Sequence, residues 1–193
     1  MRQATYNDKS LVVDMLTHSF DQNQSVNYVI KQDKERLFRI RALMAYSFEV
    51  CFLFGRVYLS DDNRSCALVL YPHTKKTTLN SVLLDVKLVF KCIGFRNLRK
   101  AINRDSKIKK LQPNEQKYYL WFIGVDPDYQ NLGIGSGLMA EIIADCEKQD
   151  LPLYLETSTL QNLPFYDKFG FKVYDELDLS YKLYFLKRDP PKL

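Results

Sequence analysis

Glycine is concentrated in one short stretch of the chain, and this has a chemical consequence. Of the seven glycines in 193 residues, four lie within fourteen residues: Gly124, Gly133, Gly135 and Gly137. A backbone without side chains lets a ligand approach closely and leaves N–H groups free to donate to it. The first turn of a helix also has unpaired N–H donors at its positive dipole end, which suits a phosphate group. The sequence therefore predicts that residues 130–136 form a turn that binds a pyrophosphate.

Two other glycine motifs are excluded by individual residues. A dinucleotide fingerprint G-x-G-x-x-G that begins at Gly133 needs glycine at position 138, which is Leu138. A P-loop needs Gly-Lys-Ser or Gly-Lys-Thr, and neither tripeptide occurs in the sequence. On spacing alone, the glycines are equally consistent with a tight turn that binds nothing.

Two longer motifs favour a ligand. Residues 125–135, VDPDYQNLGIG, resemble the acetyl-CoA signature Q/R-x-x-G-x-G/A of the GNAT superfamily of N-acetyltransferases, preceded by its usual V-x-P strand exit. Residues 162–171, NLPFYDKFGF, resemble the Asn…Tyr-x-x-x-Gly-Phe motif of the same superfamily. The two motifs occur in the family's order and at about its separation. Residues 118–174 are particularly similar to the puromycin N-acetyltransferase branch.

The resemblance implies a fold and a cosubstrate. The expected fold class is α/β, in the sense of an α+β mixed sheet: a central mixed β-sheet of about six or seven strands flanked by helices. One domain is expected to span residues 1–193. The expected cosubstrate is acetyl-CoA, with no metal ion.

The resemblance also implies which residues contact acetyl-CoA. In GNAT enzymes the strand before the signature splays from its neighbour, and its backbone binds the pantetheine arm. The pantetheine contacts expected here are Ile123, Gly124 and Val125. The pyrophosphate contacts expected are Gln130, Asn131, Leu132, Gly133, Ile134, Gly135 and Ser136. Asn162 is a further expected contact, although it precedes Tyr166 by four positions rather than the seven common among relatives.

Two side chains are candidates for the proton transfers of amine acylation. An amine acceptor with a pKa near ~10 must lose a proton before it can attack a thioester. Glu156, in the strand predicted at residues 153–157, is the carboxylate best placed to take that proton. The resemblance assigns Tyr166 to protonating the leaving thiolate, and the N–H of Val125 is the expected oxyanion donor. A structural carboxylate at Glu156 and a packed aromatic ring at Tyr166 are the alternatives.

Hydrophobic periodicity predicts the elements that must position these residues. The expected strands cover residues 1–6, 56–59, 65–71, 116–125 and 153–157, one that opens at 172–174, and 181–186. The expected helices cover residues 8–20, 33–51, 79–102 with a break near Gly94, 133–148 and 162–169. The polar residues 22–27 and the basic stretch before Pro113 are expected to be loops. Alternation of strands and helices favours an α/β domain with a partly parallel sheet.

Composition excludes several other classes of protein. Hydrophobic residues make up 46% and charged residues 26% of the chain, as in globular proteins. The N-terminus lacks the apolar run of a signal peptide, and charges interrupt the most apolar stretch, residues 81–95, so that it cannot span a bilayer. A cytoplasmic protein with no membrane partner is therefore expected. The cysteines and two histidines form no zinc pattern, and the thiols are expected to be reduced and mostly buried: Cys51, Cys66, Cys92 and Cys146.

The charge is unevenly distributed. The formal net charge is +5, and residues 87–110 contain nine basic residues against Asp105 alone. Such a segment favours a solvated helix face and loop, while nucleic acid, an anionic membrane or an acidic ligand are alternative partners. Contact with the 3′-phosphate of CoA is a further alternative.

These patterns together predict an N-acetyltransferase that transfers an acetyl group from acetyl-CoA to a primary amine of a small molecule or peptide. The resemblance implies direct attack in a ternary complex, which is the rule in that family, and the absence of cysteine from both motifs agrees with it. Residues 20–58 and the loop at residues 60–63 are expected to form the acceptor pocket. The alternatives are a catalytically weak acyl-CoA-binding sensor or partner domain, and a nucleic-acid-binding protein that uses residues 87–110. The acceptor's identity and a homodimeric assembly remain open.

Overall fold

A computed structural model describes residues 1–191, apart from the side chain of Arg96. Seven strands form one mixed sheet in the order β1-β2-β3-β4-β5-β7-β6. Only the β4–β5 pair is parallel among the pairs described. The strands are β1 (Arg2–Gln3), β2 (Gly55–Leu59), β3 (Ser65–Leu70), β4 (Tyr118–Val125), β5 (Leu153–Thr157), β6 (Lys172–Asp178) and β7 (Lys182–Arg188). The predicted fold class, a mixed sheet of about six or seven strands, is confirmed.

Helices cover both faces of the sheet. They are α1 (Lys9–Ser19), α2 (Gln24–Val29), α3 (Arg36–Phe54), α4 (Leu79–Leu88), α5 (Phe95–Leu111), α6 (Ile134–Glu147) and α7 (Leu163–Lys168). One apolar core contains the buried side chains of α1 and α3, and a second contains those of α6 and α7. A π-helical turn, Val89–Ile93, joins α4 to Gly94, whose φ of 72° produces the predicted break before α5.

Two segments predicted as loops are helical instead. Residues 22–27 contain the start of α2, which is capped by Asn23, whose side chain accepts a hydrogen bond from the N–H of Val26 at 3.1 Å. The basic stretch before Pro113 is the last part of α5. Ile108 is buried there with Phe185 of β7, so tertiary packing stabilises helix in a segment that charge alone had predicted as a loop.

The parallel pair β4–β5 opens after two residues. Tyr118 pairs with Leu153 and Tyr119 with Tyr154, whereas residues 120–125 and 155–157 do not pair with each other. On its other edge β4 has one extra residue, because Phe122 pairs with Leu68 and Leu120 with the adjacent Val69. A β-bulge of this kind bends a strand and increases its twist. The bulge lies where β4 leaves β5, and a cleft opens between the two strands.

A long helical connection separates two neighbouring strands. β3 and β4 are antiparallel neighbours, which a two-residue turn can join. Residues 71–117 lie between them instead and contain α4, the π-helical turn and α5. This connection returns over the sheet and brings the end of α5 to β5 and β7. That all of residues 1–193 belong to one domain remains a prediction.

Candidate functional site

The signature segment forms a tight loop between β4 and α6. Asn131 and Gly133 both have left-handed backbones, with φ of 63° and 80°. Among the described residues, the N–H groups of residues 131–135 donate to no protein acceptor. The next N–H, that of Ser136, donates to the carbonyl of Gly133 at 3.0 Å. Five successive free N–H groups at the start of a helix are suited to an anion such as a phosphate.

The carbonyl of Val125 connects three elements at the end of β4. It accepts a hydrogen bond from Oγ of Ser19 at 2.7 Å and one from Nε2 of Gln130 at 3.3 Å. The side chain of Gln130 therefore holds the loop against the strand. Its predicted contact with a pyrophosphate stays a prediction, because this amide nitrogen is already engaged within the protein.

The backbone of β4 offers donors to the cleft. Successive residues of a strand direct their N–H groups to opposite edges. Because the N–H of Asp126 donates to the carbonyl of Arg64 at 2.9 Å on the β3 side, the N–H groups of Ile123 and Val125 point away from β3, into the cleft. Their predicted contacts with a pantetheine arm are compatible with this orientation.

Gly124 has a different environment from its two neighbours. It pairs with Cys66, so its N–H and carbonyl face β3 rather than the cleft. A Cβ atom at this position would lie 2.8 Å from Cδ2 of Leu16 and 3.3 Å from Oγ of Ser19. The close approach of α1 to β4 therefore explains the glycine, and its contact with a cofactor remains a prediction.

Tyr166 lies in the core on the α6 side of the sheet. The residue is 6% exposed, and its ring packs edge-to-face against Phe165 and Phe171 at centroid distances of 5.3 and 5.7 Å. Its hydroxyl makes no hydrogen bond to the described residues, and burial raises the pKa of Tyr166 to about 12. The phenol is protonated at neutral pH, as an ordinary tyrosine is, and the raised pKa makes it a weaker acid than an ordinary tyrosine. Asn162, an exposed residue just before α7, makes no capping hydrogen bond.

Glu156 lies on the opposite face of the sheet, in the part of β5 that has left β4. Its Oε1 accepts a hydrogen bond from Nε2 of Gln112 at 2.7 Å, and its Oε2 accepts one from the hydroxyl of Tyr119. Burial raises the pKa of this carboxyl, an effect opposed by the two donors and by the cations Arg104 and Lys117. A raised pKa makes a carboxylate a stronger base.

Three segments distant in sequence meet beside Glu156. Arg104 of α5 donates through Nε to the hydroxyl of Tyr181 at 2.9 Å and through Nη2 to Oγ of Ser25 at 2.5 Å. The N–H of Ser25 donates to Oγ of Ser158, just after β5, at 3.4 Å. These residues were not among the sequence candidates, since no local spacing connects them. Residues 20–58 were predicted to help form the acceptor pocket, and α2, which lies in that region, contributes Ser25 here.

The predicted site residues are thus divided between two faces and one loop. Tyr166 and Leu155 share the α6-side core, whereas Glu156 follows Leu155 in β5 and points to the other face. The opening between β4 and β5 connects these faces. The loop at residues 60–63 lies elsewhere, near the end of β4, where the neighbouring Arg64 lies 4.1 Å above the ring of Tyr129.

The described residues give no sign of a metal site or a membrane span. No group of three His, Cys, Asp or Glu side chains among them is arranged to hold a metal ion. No helix in residues 1–191 combines the length and the apolar character needed to cross a bilayer. The four cysteines are free and buried, as predicted, and burial raises the pKa of each thiol.

A family match and two related sequences both indicate an acetyltransferase. Residues 81–171 match the Acetyltransferase (GNAT) family. A 71-residue stretch is 37% identical to an uncharacterized N-acetyltransferase of Schizosaccharomyces pombe. A 73-residue stretch is 29% identical to N-alpha-acetyltransferase 50 of Danio rerio. Each stretch is 36% of this chain, and they cover 29% and 44% of those proteins. The chain therefore matches less than half the length of either relative.

A solved structure shows the same fold over the whole chain. The crystal structure described as histone acetyltransferase HPA2 and related acetyltransferase, from Corynebacterium glutamicum, covers 100% of this chain and 96% of its own. The TM-score is 0.73 at 20% sequence identity. The architecture is that of the GNAT acyltransferases. The match over residues 81–171 covers slightly less than half of the chain and indicates the GNAT acetyltransferase family for that segment. Its placement in the puromycin N-acetyltransferase branch remains a prediction.

Proposed function

We propose that the protein is an N-acetyltransferase that transfers the acetyl group of acetyl-CoA to a primary amine by direct attack in a ternary complex. One observation carries the proposal: two sets of backbone donors that have no acceptor among the described residues. They are the N–H groups of Ile123 and Val125 in the cleft and those of residues 131–135 at the start of α6, whereas the N–H groups of residues 126 and 128–130 between them donate within the protein. A linear ligand with amide groups at one end and phosphates at the other is complementary to these two sets.

The chain's own groups are suited to hold acetyl-CoA. The free N–H groups of residues 131–135 would bind the pyrophosphate, and Ile123 and Val125 would bind the pantetheine amides. At Gly133 a Cβ atom would have no neighbour within 4 Å, so the loop is open to a ligand on that side. Acetyl-CoA, when bound, supplies a thioester whose carbonyl carbon accepts an amine.

Each proton transfer then has a candidate group. The carboxylate of Glu156, oriented by Tyr119 and Gln112, would take the proton from the acceptor ammonium. In this proposal the N–H of Val125 binds a pantetheine amide, so it is not available as the predicted donor to the oxygen on which negative charge develops. The hydroxyl of Tyr166 would give its proton to the leaving sulfur. The base and the acid approach the cleft from opposite faces of the sheet, which keeps the two proton transfers apart.

For the acceptor, only the chemical class is proposed. A primary amine on a small molecule or a peptide would enter on the Glu156 face, between α2 and α5. The name of the Danio rerio relative, N-alpha-acetyltransferase 50, favours testing peptide N-termini together with small amines. The similarity of residues 118–174 to puromycin acetyltransferases favours testing amines that have an aromatic part.

The decisive experiment is calorimetric titration of acetyl-CoA and of free CoA into the purified protein. Binding of both is expected, and it should be lost in a variant with Gly133→Val and Gly135→Val. At Gly133 φ is 80°, and a Cβ at Gly135 would lie 3.2 Å from Cγ2 of Val125, so both valines would distort the loop. Gly137→Ala is the matched control, since a Cβ there meets nothing within 4 Å.

The outcomes separate a transferase from an acyl-CoA-binding domain without activity. Binding of acetyl-CoA with thiol release on addition of amines supports the transferase. Binding without thiol release from any amine or peptide tested would favour an acyl-CoA-binding sensor or partner domain. If the folded protein bound neither acetyl-CoA nor CoA, the proposal would be wrong.

A further inference from the structure

The outer face of α4 is apolar although it faces solvent. Leu84 and Leu88 pack against the core below the helix. Five further large apolar side chains, three or four positions apart, are exposed on the outer side: Leu79, Val82, Leu83, Val86 and Phe90. We call these five residues the outer stripe. A helix that is apolar on two opposite sides normally has partners on both of them. In α5, Phe95 and Ile102 are also exposed.

The same segment has many basic residues with few acidic partners. Residues 75–110 contain two acidic residues, Asp85 and Asp105. Asp85 accepts a hydrogen bond from Tyr46 at 2.7 Å, and Asp105 pairs with Lys109 at 2.7 Å. Among the described residues, eight exposed cations of this segment have no carboxylate within 4.0 Å: Lys75, Lys76, Lys87, Lys91, Arg99, Lys100, Lys107 and Lys110.

The two features coincide on one surface. Lys87 and Lys91 belong to the same helical stretch as Val86 and Phe90, so cations alternate with the outer stripe. Phe90 and Phe95 are in edge-to-face contact at 5.1 Å and line one groove together with Lys31 and Lys100. Apolar side chains surrounded by unpaired lysines are the composition of a helix that lies in the interface of an anionic bilayer.

We propose that the outer stripe and its surrounding cations bind the surface of an anionic lipid bilayer. The apolar side chains would enter the boundary between headgroups and acyl chains, while the lysines would contact lipid phosphates and carboxylates. Such binding needs no spanning helix, so it is compatible with the absence of one among residues 1–191. It differs from the sequence prediction of no membrane partner and agrees with the anionic membrane that the sequence analysis gave as an alternative partner of residues 87–110.

Other partners of this surface are less well matched. A symmetric contact with a second copy would bring the same row of lysines face to face, which is repulsive. A nucleic acid would pair with the cations but would leave the outer stripe in water, because phosphate contacts bury no apolar side chain. A bilayer with anionic headgroups satisfies both features together.

The test is sedimentation of the full chain with lipid vesicles. Vesicles of phosphatidylcholine with phosphatidylserine should bind the protein, vesicles of phosphatidylcholine alone should bind it much less, and added salt should release it. Two double variants separate the contributions: Leu83→Ser with Phe90→Ser, and Lys87→Glu with Lys91→Glu. Each should weaken partitioning by about tenfold or more.

A matched control uses an exposed apolar residue elsewhere. Leu160 is 60% exposed and Phe90 is 62% exposed, so Leu160→Ser removes a similar surface outside the outer stripe. This variant should bind vesicles like the original chain. Circular dichroism would establish that all variants are folded, and none of the altered residues belongs to the proposed acetyl-CoA site.

Three results would overturn the proposal. One is a folded protein that sediments with neither kind of vesicle. Another is vesicle binding that the lysine variant loses while the serine variant keeps it, which would indicate a purely electrostatic surface such as one for nucleic acid. The third is self-association without lipid that the serine variant abolishes, which would assign the outer stripe to a second copy. The proposed acetyl-CoA binding is independent of all three.

Discussion

Glu156 shows how the chemistry of one side chain depends on its neighbours. Burial raises the pKa of its carboxyl, whereas the hydrogen bonds from Tyr119 and Gln112 lower it. In the proposed reaction only the ionised carboxylate can accept a proton. The rate should therefore rise with pH through the pKa of Glu156 and then level off.

The first prediction concerns Tyr119. Tyr119→Phe removes a hydrogen bond that stabilises the carboxylate, so the pKa of Glu156 should rise and the acidic limb of the kcat/KM profile should move to higher pH. Glu156→Gln should lower kcat by about a hundredfold and abolish that limb. The measurement is a pH–rate profile with one fixed amine acceptor, so that the acceptor's own ionisation is common to all three proteins. Superimposable profiles for the Tyr119 variant and the original chain would contradict the assignment of Glu156 as the base.

The second prediction concerns Tyr166. Its hydroxyl makes no hydrogen bond to the described protein, so Tyr166→Phe should leave the fold and acetyl-CoA affinity nearly unchanged. Turnover should fall by about a hundredfold, because the proton donor for the leaving thiolate is removed. Steady-state kinetics and calorimetry on the same preparation check the two parts. Full turnover in a folded Tyr166→Phe variant would remove this residue from the acid role.

At the scale of elements, packing tightly constrains the junction of α3 and β2. α3 ends at Phe54 and β2 begins at Gly55, so no loop separates them. A Cβ atom at Gly55 would lie 2.0 Å from the carbonyl oxygen of Val69 in β3. Only glycine lets the two strands pair at this point, and the pairing of β2 with β3 supports β4 next to it.

The third prediction compares two glycines. Gly55→Ala should lower the free energy of unfolding by about 3 kcal/mol, because backbone atoms of two strands must move apart. Gly137→Ala, inside α6 and open to solvent, should raise it by up to about 1 kcal/mol through helix propensity. Urea denaturation of both variants is the measurement. Equal stabilities of the two variants would show that the strands adjust freely around position 55.

On the scale of the whole molecule, the sheet is two parts joined by a short seam. Among the described strands, β1 to β4 and β5 to β7 meet only through the two residue pairs between β4 and β5. The proposed ligand site lies directly beyond this seam. A ligand that contacts β4 and α6 would occupy the opening and restrict motion of the two parts relative to each other.

The fourth prediction is therefore a pattern of hydrogen exchange. Saturating acetyl-CoA should slow exchange at the N–H groups of Ile123 and Val125 and at residues 131–135. N–H groups away from the cleft that exchange through local opening should change little, whereas those that exchange through global unfolding should slow with the added stability of the fold. A bound ligand at a hundred times its Kd should also stabilise the fold by about 2.7 kcal/mol. Protection confined to α5, without change in β4 or the loop, would place the ligand elsewhere.

Much of the fold and of the cofactor loop could be predicted because the signals are local. Residues 153–157 were predicted as a strand and form β5 with those bounds, and the strand at residues 116–125 became Tyr118–Val125. The glycines at positions 133 and 135 indicated a tight turn before a helix, and the structure has that turn. Periodicity and glycine content operate within one segment, so a single sequence contains them.

The sequence by itself determined the order of the strands, the order of the helices apart from α2, the loop before α6 and the candidates Glu156 and Tyr166. Only the tertiary structure decided their surroundings: the opening of β4 from β5, the opposite faces of the acid and the base, and the partners of Glu156. Tyr119 lies 37 positions from Glu156, and Gln112 lies 44 positions from it. Such contacts form when packing brings remote segments together, so the spacing of residues within one segment cannot predict them.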